Sequence, residues 1–491
     1  MQLRELLADV DVLERVGDPG VDVTSVVHNN LRAGRGSCFC CIRGARTDGH
    51  DHAPDAVARG SVALLVERIL PLDVTQARVA DVRRAIGPVA ARCYGNPSRA
   101  MRCLGVTGTN GKTTTTFLIE AIAGGAGDTV GIVGTTGARI AGEPVELERT
   151  TPEASDLQQL LARMRDRAVS TVALEVSSHA LAQHRVDGTW FEAVCFTNLS
   201  AEHLDYHLTL DDYFDAKAAL FDPARAAVGV TNLDDPHGVE LGRRASCRGL
   251  PVVTYAVGDG SADVGADNVQ VGATGNQFEL VDRRSGAVAP VQSPLVGDFN
   301  VANALAAAAT ALAAGLPFDA VASGLSAPLV VPGRLERISG AQPFAAVVDY
   351  AHTPSALTHV LRAARVLGNP GGRVIAVFGC GGDRDREKRP LMGEAAAEGA
   401  DFVVVTSDNP RSEDPAAIVE EIRPGLRHGA PFTIELDRRA AIRLALEHAE
   451  PGDVVVVAGK GHETDQTIGA TTVAFDDRAV TRDELERLGW S

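Results

Sequence analysis

The sequence predicts an α/β protein of three domains: a small N-terminal αβ domain, a central P-loop domain built on a parallel sheet, and a C-terminal Rossmann-like domain. Three observations carry that expectation. The chain has 491 residues, enough for three domains at a typical size of about 150. Strand-like and helix-like stretches alternate over most of its length, the pattern of a parallel sheet with helices on its faces. A glycine-rich segment at residues 105–113 stands between a strand candidate and a helix candidate.

Residues 1–98 read as the small αβ domain, with a strand at 62–66 and turns marked by Gly34, Gly36, Gly44 and Gly49. The turn-rich Tyr94-Gly-Asn-Pro-Ser98 closes it. Residues 99–332 form the central domain, with strand candidates at 102–106, 130–133, 172–176, 193–197 and 228–231. Helical patterns at 113–123 and 157–167 lie between them. Residues 259–292, rich in Gly, Asp and Ser with short alternating pieces, read as an antiparallel insert. The Ala-rich run 301–314 is helical by propensity. Val331-Pro-Gly-Arg334 reads as a linker into the third domain, residues 333–491, whose strands are expected at 345–348, 373–378, 402–406 and 453–457.

Composition narrows the function classes. There are 47 Lys and Arg against 64 Asp and Glu, a formal net charge of −17, which argues against coating nucleic acid or an anionic membrane. Aromatic residues are 4% of the chain, too few for base-stacking platforms. No basic segment leads into an apolar core at the N-terminus, and no apolar run approaches the ~18 residues that span a bilayer. The eight cysteines are scattered without metal-site spacing and are expected to be reduced thiols in the cytoplasm.

The chemistry begins at Gly105-Val-Thr-Gly-Thr-Asn-Gly-Lys-Thr113. Backbone N–H groups of such a loop cradle phosphates, and the helix that follows adds its dipole. Lys112 would reach the β- and γ-phosphates and Thr113 would hold Mg²⁺. The spacing departs from the common pattern, since Val106 stands where the first glycine is usual. A carboxylate, Glu175, follows the strand at 172–176, a position that commonly supports the nucleotide's metal. His203, Asp205 and His207 cluster after the strand at 193–197 and mark a site. In the third domain four strands run into polar loops: Asp349-Tyr-Ala-His352, Gly379-Cys-Gly-Gly-Asp-Arg384, Ser407-Asp-Asn-Pro-Arg411 and Ala458-Gly-Lys-Gly-His-Glu463. Ligands of open α/β sheets bind at the carboxyl ends of strands, so these loops should meet in one site.

Taken in order, these motifs, with Thr197-Asn-Leu, His203-Leu-Asp-Tyr-His207 and Pro332-Gly-Arg-Leu-Glu336, resemble the Mur ligases of peptidoglycan precursor synthesis. The resemblance spans the whole chain and is most specific from residue 105 onward. It implies a central ATPase domain and ATP-dependent amide formation through an acyl phosphate. Within the family the chain is similar to members that add meso-2,6-diaminopimelate to UDP-N-acetylmuramoyl-L-alanyl-D-glutamate. The cofactor it implies is Mg²⁺, with ATP as substrate and CO₂ taken up as a carbamate on Lys217, in the context Tyr213-Phe-Asp-Ala-Lys-Ala-Ala-Leu-Phe221. A monomer without nucleic-acid or membrane partners is expected.

The resemblance also assigns residues. Gly108, Thr109, Asn110, Gly111, Lys112, Thr113, Thr114, Asn303, Arg334 and Asp349 would bind ATP. Thr113, Glu175, His203 and carbamylated Lys217 would surround the metal. Thr150, Thr151, Ser177, Gln183 and Arg185 would bind the peptide-bearing nucleotide, and Arg185 suits a carboxylate because a guanidinium pairs with it bidentately. His28 and Asn30 would meet the uridine, although Asn29-Asn30-Leu31 replaces the family's usual Asp-Ser-Arg. Arg46 would face the pyrophosphate. Arg384, Asp408, Asn409, Pro410, Arg411, Gly459 and Glu463 would bind diaminopimelate, Arg411 taking its distal carboxylate. Other readings of single residues are a strand-end cap for Asp349, a helix-surface amide for Asn303, and an ion pair between Arg411 and Glu413. Rivals for the whole chain are an L-lysine-adding ligase, a folylpolyglutamate synthase, and a P-loop regulatory protein without ligase activity.

Overall fold

The computed structural model describes residues 1–44 and 47–490, with the side chains of Leu204 and Asp205 also left outside the description. Three sheets organise it, one for each expected domain. The first has five strands in the spatial order Val12–Val16, Thr75–Val79, Ala63–Val66, Ser37–Cys40, Ser25–Val27. Only the first pair is antiparallel. Helix Val82–Cys93 covers one face with Val82, Ile86 and Val89.

The central sheet has eleven strands. Strand Arg102–Thr107 lies in its middle, parallel to Thr171–Glu175 on one side and Phe191–Phe196 on the other. Its residues are nearly all buried because helices cover both faces, which is why these strands read as continuous apolar runs rather than alternating ones. On one face helix Lys112–Gly125 packs against helix Phe299–Ala313. The alanines of that second helix let the two approach closely, and almost all of its residues are buried. On the other face lie Leu157, Leu161 and Met164 of helix Ala154–Asp166 and Tyr213 of helix Leu210–Ala218. The expected antiparallel insert is present as Val264–Gly272, Gly275–Asp282 and Ala287–Ser293. The opposite edge carries two short antiparallel strands, Gly137–Ile140 and Glu143–Val145, that the sequence does not announce.

The third sheet orders its parallel strands as Ala345–Asp349, Val454–Ala458, Val374–Phe378, Phe402–Val405, Phe432–Ile434, with the short Glu336–Arg337 antiparallel at one edge. The four strands whose loops drew attention are therefore neighbours, and their carboxyl ends lie side by side. A buried ion pair holds this edge. Arg438 bonds Asp477 through Nε and Nη2 at 2.7 and 2.6 Å, and donates to the carbonyls of Ser407 (3.1 Å) and Ala458 (3.0 Å) at two strand ends. A small hairpin, Asp465–Ile468 with Thr471–Ala474, forms a fourth sheet beside these loops. All eight cysteines are free thiols. Among the described residues no helix is long and apolar enough to cross a membrane.

Candidate active site

The glycine loop between strand Arg102–Thr107 and helix Lys112–Gly125 is gripped by the neighbouring strand end. Asn198 accepts from Asn110 N at 2.9 Å, and Thr197 Oγ1 donates to Asn110 O at 2.6 Å. Two glycines are required by close approach. A Cβ on Gly108, at φ +146°, would stand 1.9 Å from Thr197 Oγ1, and one on Gly111, at φ +86°, 2.2 Å from Asn303 Oδ1. Asn303 is thus no helix-surface amide: it is buried beneath the loop and bonds Asn300.

Two lysines converge under this loop. Lys112 Nζ donates to the carbonyls of Gly108 (2.9 Å) and Thr109 (2.8 Å). Lys217, from the last turn of helix Leu210–Ala218, donates to the same Gly108 oxygen at 2.9 Å, and its ammonium lies 4.2 Å from the Tyr213 ring centre. Lys217 is only 1% exposed, so it is no surface lysine. Burial lowers the pKa of both lysines; that of Lys217 falls well below the ordinary value, with the charge of Lys112 adding to the effect.

Glu175 ends its strand buried, its two oxygens accepting from Thr135 N and Thr135 Oγ1, each at 2.9 Å. Thr150 reaches the same threonine at 3.2 Å. Thr151 donates to the Glu175 carbonyl at 2.8 Å and sits 3.4 Å from Ser177 Oγ, which caps helix Ser178–Ala182. Arg185 is buried rather than on the surface, 8% exposed, held by Gln183 at 2.7 Å and by Glu153 at 3.1 Å. The residues expected to bind the peptide-bearing nucleotide therefore gather around the end of one strand. His28 of the first domain reaches it through Ser155, 2.9 Å from Nδ1, and burial lowers the His28 pKa. Asn30 does not point there: its amide donates to Asp55 of its own domain at 2.6 Å. Arg46 lies outside the described residues.

A cavity of about 320 Å³ opens between the central and third domains. Asn110, Gly111, Thr113, Thr114, Asn303, Arg334 and Asp349 line it, while Gly108, Thr109 and Lys112, also expected around the nucleotide, do not. Arg334 Nη2 donates to Thr113 Oγ1 at 3.2 Å across the domain boundary. Asp349 is a strand-end cap as well as a wall residue: its oxygens accept from Leu335 N and Ala351 N, each at 2.7 Å, and burial raises its pKa. Ring surfaces of Tyr255, Phe299 and His359 complete the wall. No local pattern announces those three.

A second cavity, about 380 Å³, lies at the carboxyl ends of the third-domain strands. Arg384, Asp408, Asn409, Arg411, Gly459 and Glu463 line it together with His203. Gly459, at φ +117°, is needed because a Cβ would stand 2.4 Å from Asp408 Oδ2. Asn409 donates to Glu463 Oε2 at 2.8 Å. Arg411 donates from Nη1 to Gly382 O at 2.7 Å, and among the described residues it has no ion pair. Glu413 is taken by Arg389 at 2.8 Å and by Asp383 N, so the alternative pairing of Arg411 is not made. Pro410 is packed against the 379–384 loop rather than on the cavity wall; a Cβ on Gly382 would meet its carbonyl at 1.9 Å.

Sequence reading missed the pair that bridges the two domains here. Glu202 of the central domain lies 3.5 Å from His352 Nε2 and 3.8 Å from His203 Nε2. Burial disfavours its charge, but the His352 contact and the nearby cationic groups outweigh that and hold its carboxyl below the usual range. Burial lowers His203 to about 4. The Asp205 side chain lies outside the described residues. Among the described residues no group of three or more His, Cys, Asp or Glu gathers at metal-binding spacing. Glu175, His203 and the Thr113 hydroxyl could thus hold a divalent ion only with help from nucleotide phosphates or a further anion.

Comparison with known proteins gives concordant matches. The Mur ligase middle domain family matches residues 106–311, and the Mur ligase glutamate ligase domain family matches residues 333–461. A UDP-N-acetylmuramoyl-L-alanyl-D-glutamate–2,6-diaminopimelate ligase of Streptomyces coelicolor is 45% identical over 482 residues, covering 96% of this chain and 94% of the relative. The ligase of the same name from Alkaliphilus metalliredigens is 41% identical over 492 residues, covering 100% and 98%. A solved structure of a ligase of that name superposes with a TM-score of 0.72 at 33% identity, covering both chains fully.

Proposed function

The chain belongs to the Mur ligase family, and on that premise we propose that it is an ATP-dependent ligase that joins meso-2,6-diaminopimelate to UDP-N-acetylmuramoyl-L-alanyl-D-glutamate, releasing ADP and phosphate. The observation that carries the reading is the pair of adjoining cavities. One is walled by the phosphate loop and Arg334, and the other by Asp408, Asn409 and Arg411.

The residues supply what the chemistry needs. The glycine loop and the N-terminus of helix Lys112–Gly125 receive the phosphates, and Lys112 swings from its two carbonyls to the γ-phosphoryl group. Arg334 neutralises phosphate charge from the third domain. Thr150, Thr151, Ser177 and Arg185 hold the peptide so that its D-glutamyl carboxylate faces the γ-phosphorus. The carboxylate oxygen attacks phosphorus, ADP leaves, and an acyl phosphate forms. The neutral amine of the bound amino acid then attacks the acyl carbon, the C–O bond to phosphate breaks, the departing phosphate takes the nitrogen's proton, and the amide remains. Asp408, Asn409 and Glu463 hold ammonium groups of the amino acid, while Arg384 and Arg411 take its carboxylates. Walls from both domains keep water from the acyl phosphate.

Glu175, His203 and Thr113 would hold Mg²⁺, together with Lys217 once it carries a carbamate. The buried, easily deprotonated amine of Lys217 suits that modification, because only a neutral amine attacks CO₂. When bound, the metal would screen the approach of carboxylate to triphosphate.

Phosphate release by the purified protein is the test, with UDP-N-acetylmuramoyl-L-alanyl-D-glutamate present and the amino acid varied. Release that requires meso-diaminopimelate, with a product heavier by one diaminopimelyl residue, is expected. No amino-acid-dependent release would sink the ligase reading.

A further inference from the structure

The small hairpin beside the amino-acid cavity has no role in the chemistry above and lies beyond the matched family segment, which ends at residue 461. Its outer strand Thr471–Ala474 is exposed at every residue, so that strand adds nothing to the core. What the hairpin does is bond Asp408, Asn409 and Arg411 of the 408–411 loop. Gln466 Nε2 donates to Asp408 O at 2.6 Å. Thr467 N donates to Asn409 Oδ1 at 3.0 Å. Arg411 N donates to Thr467 O at 3.0 Å, and Gly469 N donates to Arg411 O at 2.6 Å.

These bonds fall where the loop needs them. Arg411 has φ +51°, in the left-handed region that a non-glycine residue occupies only when its surroundings over-determine it. The hairpin bonds both its N–H and its C=O. On the far side Nη1 bonds Gly382 O at 2.7 Å, and a Cβ on Gly381 would come within 3.0 Å of that nitrogen. The guanidinium therefore enters the cavity along one path, set by the backbone twist at its own Cα.

We infer that this hairpin is the specificity brace of the amino-acid site: by clamping Arg411 in the left-handed conformation it aims the guanidinium at the distal carboxylate of the incoming amino acid. Thr467 and Gly469 are positioning residues that act through Arg411. The inference rests on the function proposed above, since it names what that site selects.

The test uses the full-length protein and two changes at one exposed turn. Gly469→Pro removes the N–H that bonds Arg411 O and cannot adopt the φ of +59° found there. Gly469→Asn keeps the N–H and tolerates that conformation. For each variant kcat/KM is measured with meso-diaminopimelate and with L-lysine, alongside KM for ATP and the melting temperature. Gly469→Pro should lower the diaminopimelate-to-lysine ratio by about tenfold or more, chiefly through KM for diaminopimelate, while Gly469→Asn keeps the wild-type ratio. In an Arg411→Ala background Gly469→Pro should leave the ratio unchanged. If Gly469→Pro does not fold, Gly469→Val, whose β-branched side chain disfavours the φ of +59°, replaces it with the same expectation. An unchanged ratio, an equal loss for both amino acids, or the same ratio change without Arg411 overturns the brace. A wild-type protein that does not use diaminopimelate overturns the functional reading instead.

Discussion

Replacing Lys217 with methionine separates what the lysine costs the fold from what it gives the chemistry. Lys112 and Lys217 both bond the Gly108 carbonyl, so their nitrogens lie within about 6 Å of each other. At an effective dielectric of about 20, two unit charges at that distance repel by about 3 kcal/mol. With both lysines protonated, methionine removes this repulsion but loses one hydrogen bond and the cation–π contact with Tyr213, each about 1 kcal/mol, a net gain of about 1 kcal/mol in CO₂-free buffer. Thermal unfolding should show it as a rise of about 2–4 °C in the central-domain transition. The sign follows from linkage. The folded-state pKa of Lys217 lies below its unfolded value, so the unfolded chain binds the proton more tightly. The penalty is full below the folded pKa and fades as pH rises toward the unfolded value of about 10.4, where the variant's advantage should vanish. A carbamate reverses the charge and turns repulsion from Lys112 into attraction. Bicarbonate should therefore stabilise the wild type and not the variant, and ¹³CO₂ should label the wild type at one lysine. Turnover should be nearly absent in Lys217→Met and Lys217→Ala, and short carboxylic acids should partly restore the alanine variant. A methionine variant that is less stable than wild type in CO₂-free buffer, and still active, would refute the reasoning.

The remaining predictions concern other parts of the site. Lys112→Ala should lower kcat by about a hundredfold or more with the fold intact by circular dichroism, because the loop loses its cationic donor to the transferring phosphoryl group. The wild type should prefer meso-diaminopimelate over L-lysine by about a hundredfold in kcat/KM, roughly 3 kcal/mol, and Arg411→Ala should erase most of that preference by losing diaminopimelate. Equal use of lysine by the wild type would show that the Arg411 assignment is wrong. Asp477→Ala strands the buried Arg438 guanidinium and should destabilise the third domain by about 3–5 kcal/mol in denaturant unfolding; a loss under about 1 kcal/mol would mean that the strand-end carbonyls alone satisfy the arginine.

The sequence by itself determined whatever is encoded in neighbouring residues. Buried parallel strands are written as unbroken apolar runs, so strands such as Arg102–Thr107 and Val454–Ala458 were legible to within a residue or two. The glycine loop was legible because a phosphate cradle is a short stretch of backbone. The four third-domain loops were legible because each follows such a strand, and the spatial order of those strands then made them neighbours.

Tertiary structure decided what depends on partners distant in the chain. Lys217 reads locally as a polar residue on a short helix; it is buried against Gly108, 109 residues away, and that burial and the charge of Lys112 lower its pKa. Asn303 carries no local sign of being the floor of the glycine loop, since that contact requires two helices to pack through alanines. Glu202 and His352 come together only when two domains dock. The edge strands Gly137–Ile140 and Glu143–Val145 and the hairpin beside Arg411 are short, polar and half-solvated, so no apolar period marks them. A local pattern reports how one segment buries its own surface; which buried groups then share a carbonyl, a cavity or a charge is set by the packing of segments far apart in sequence.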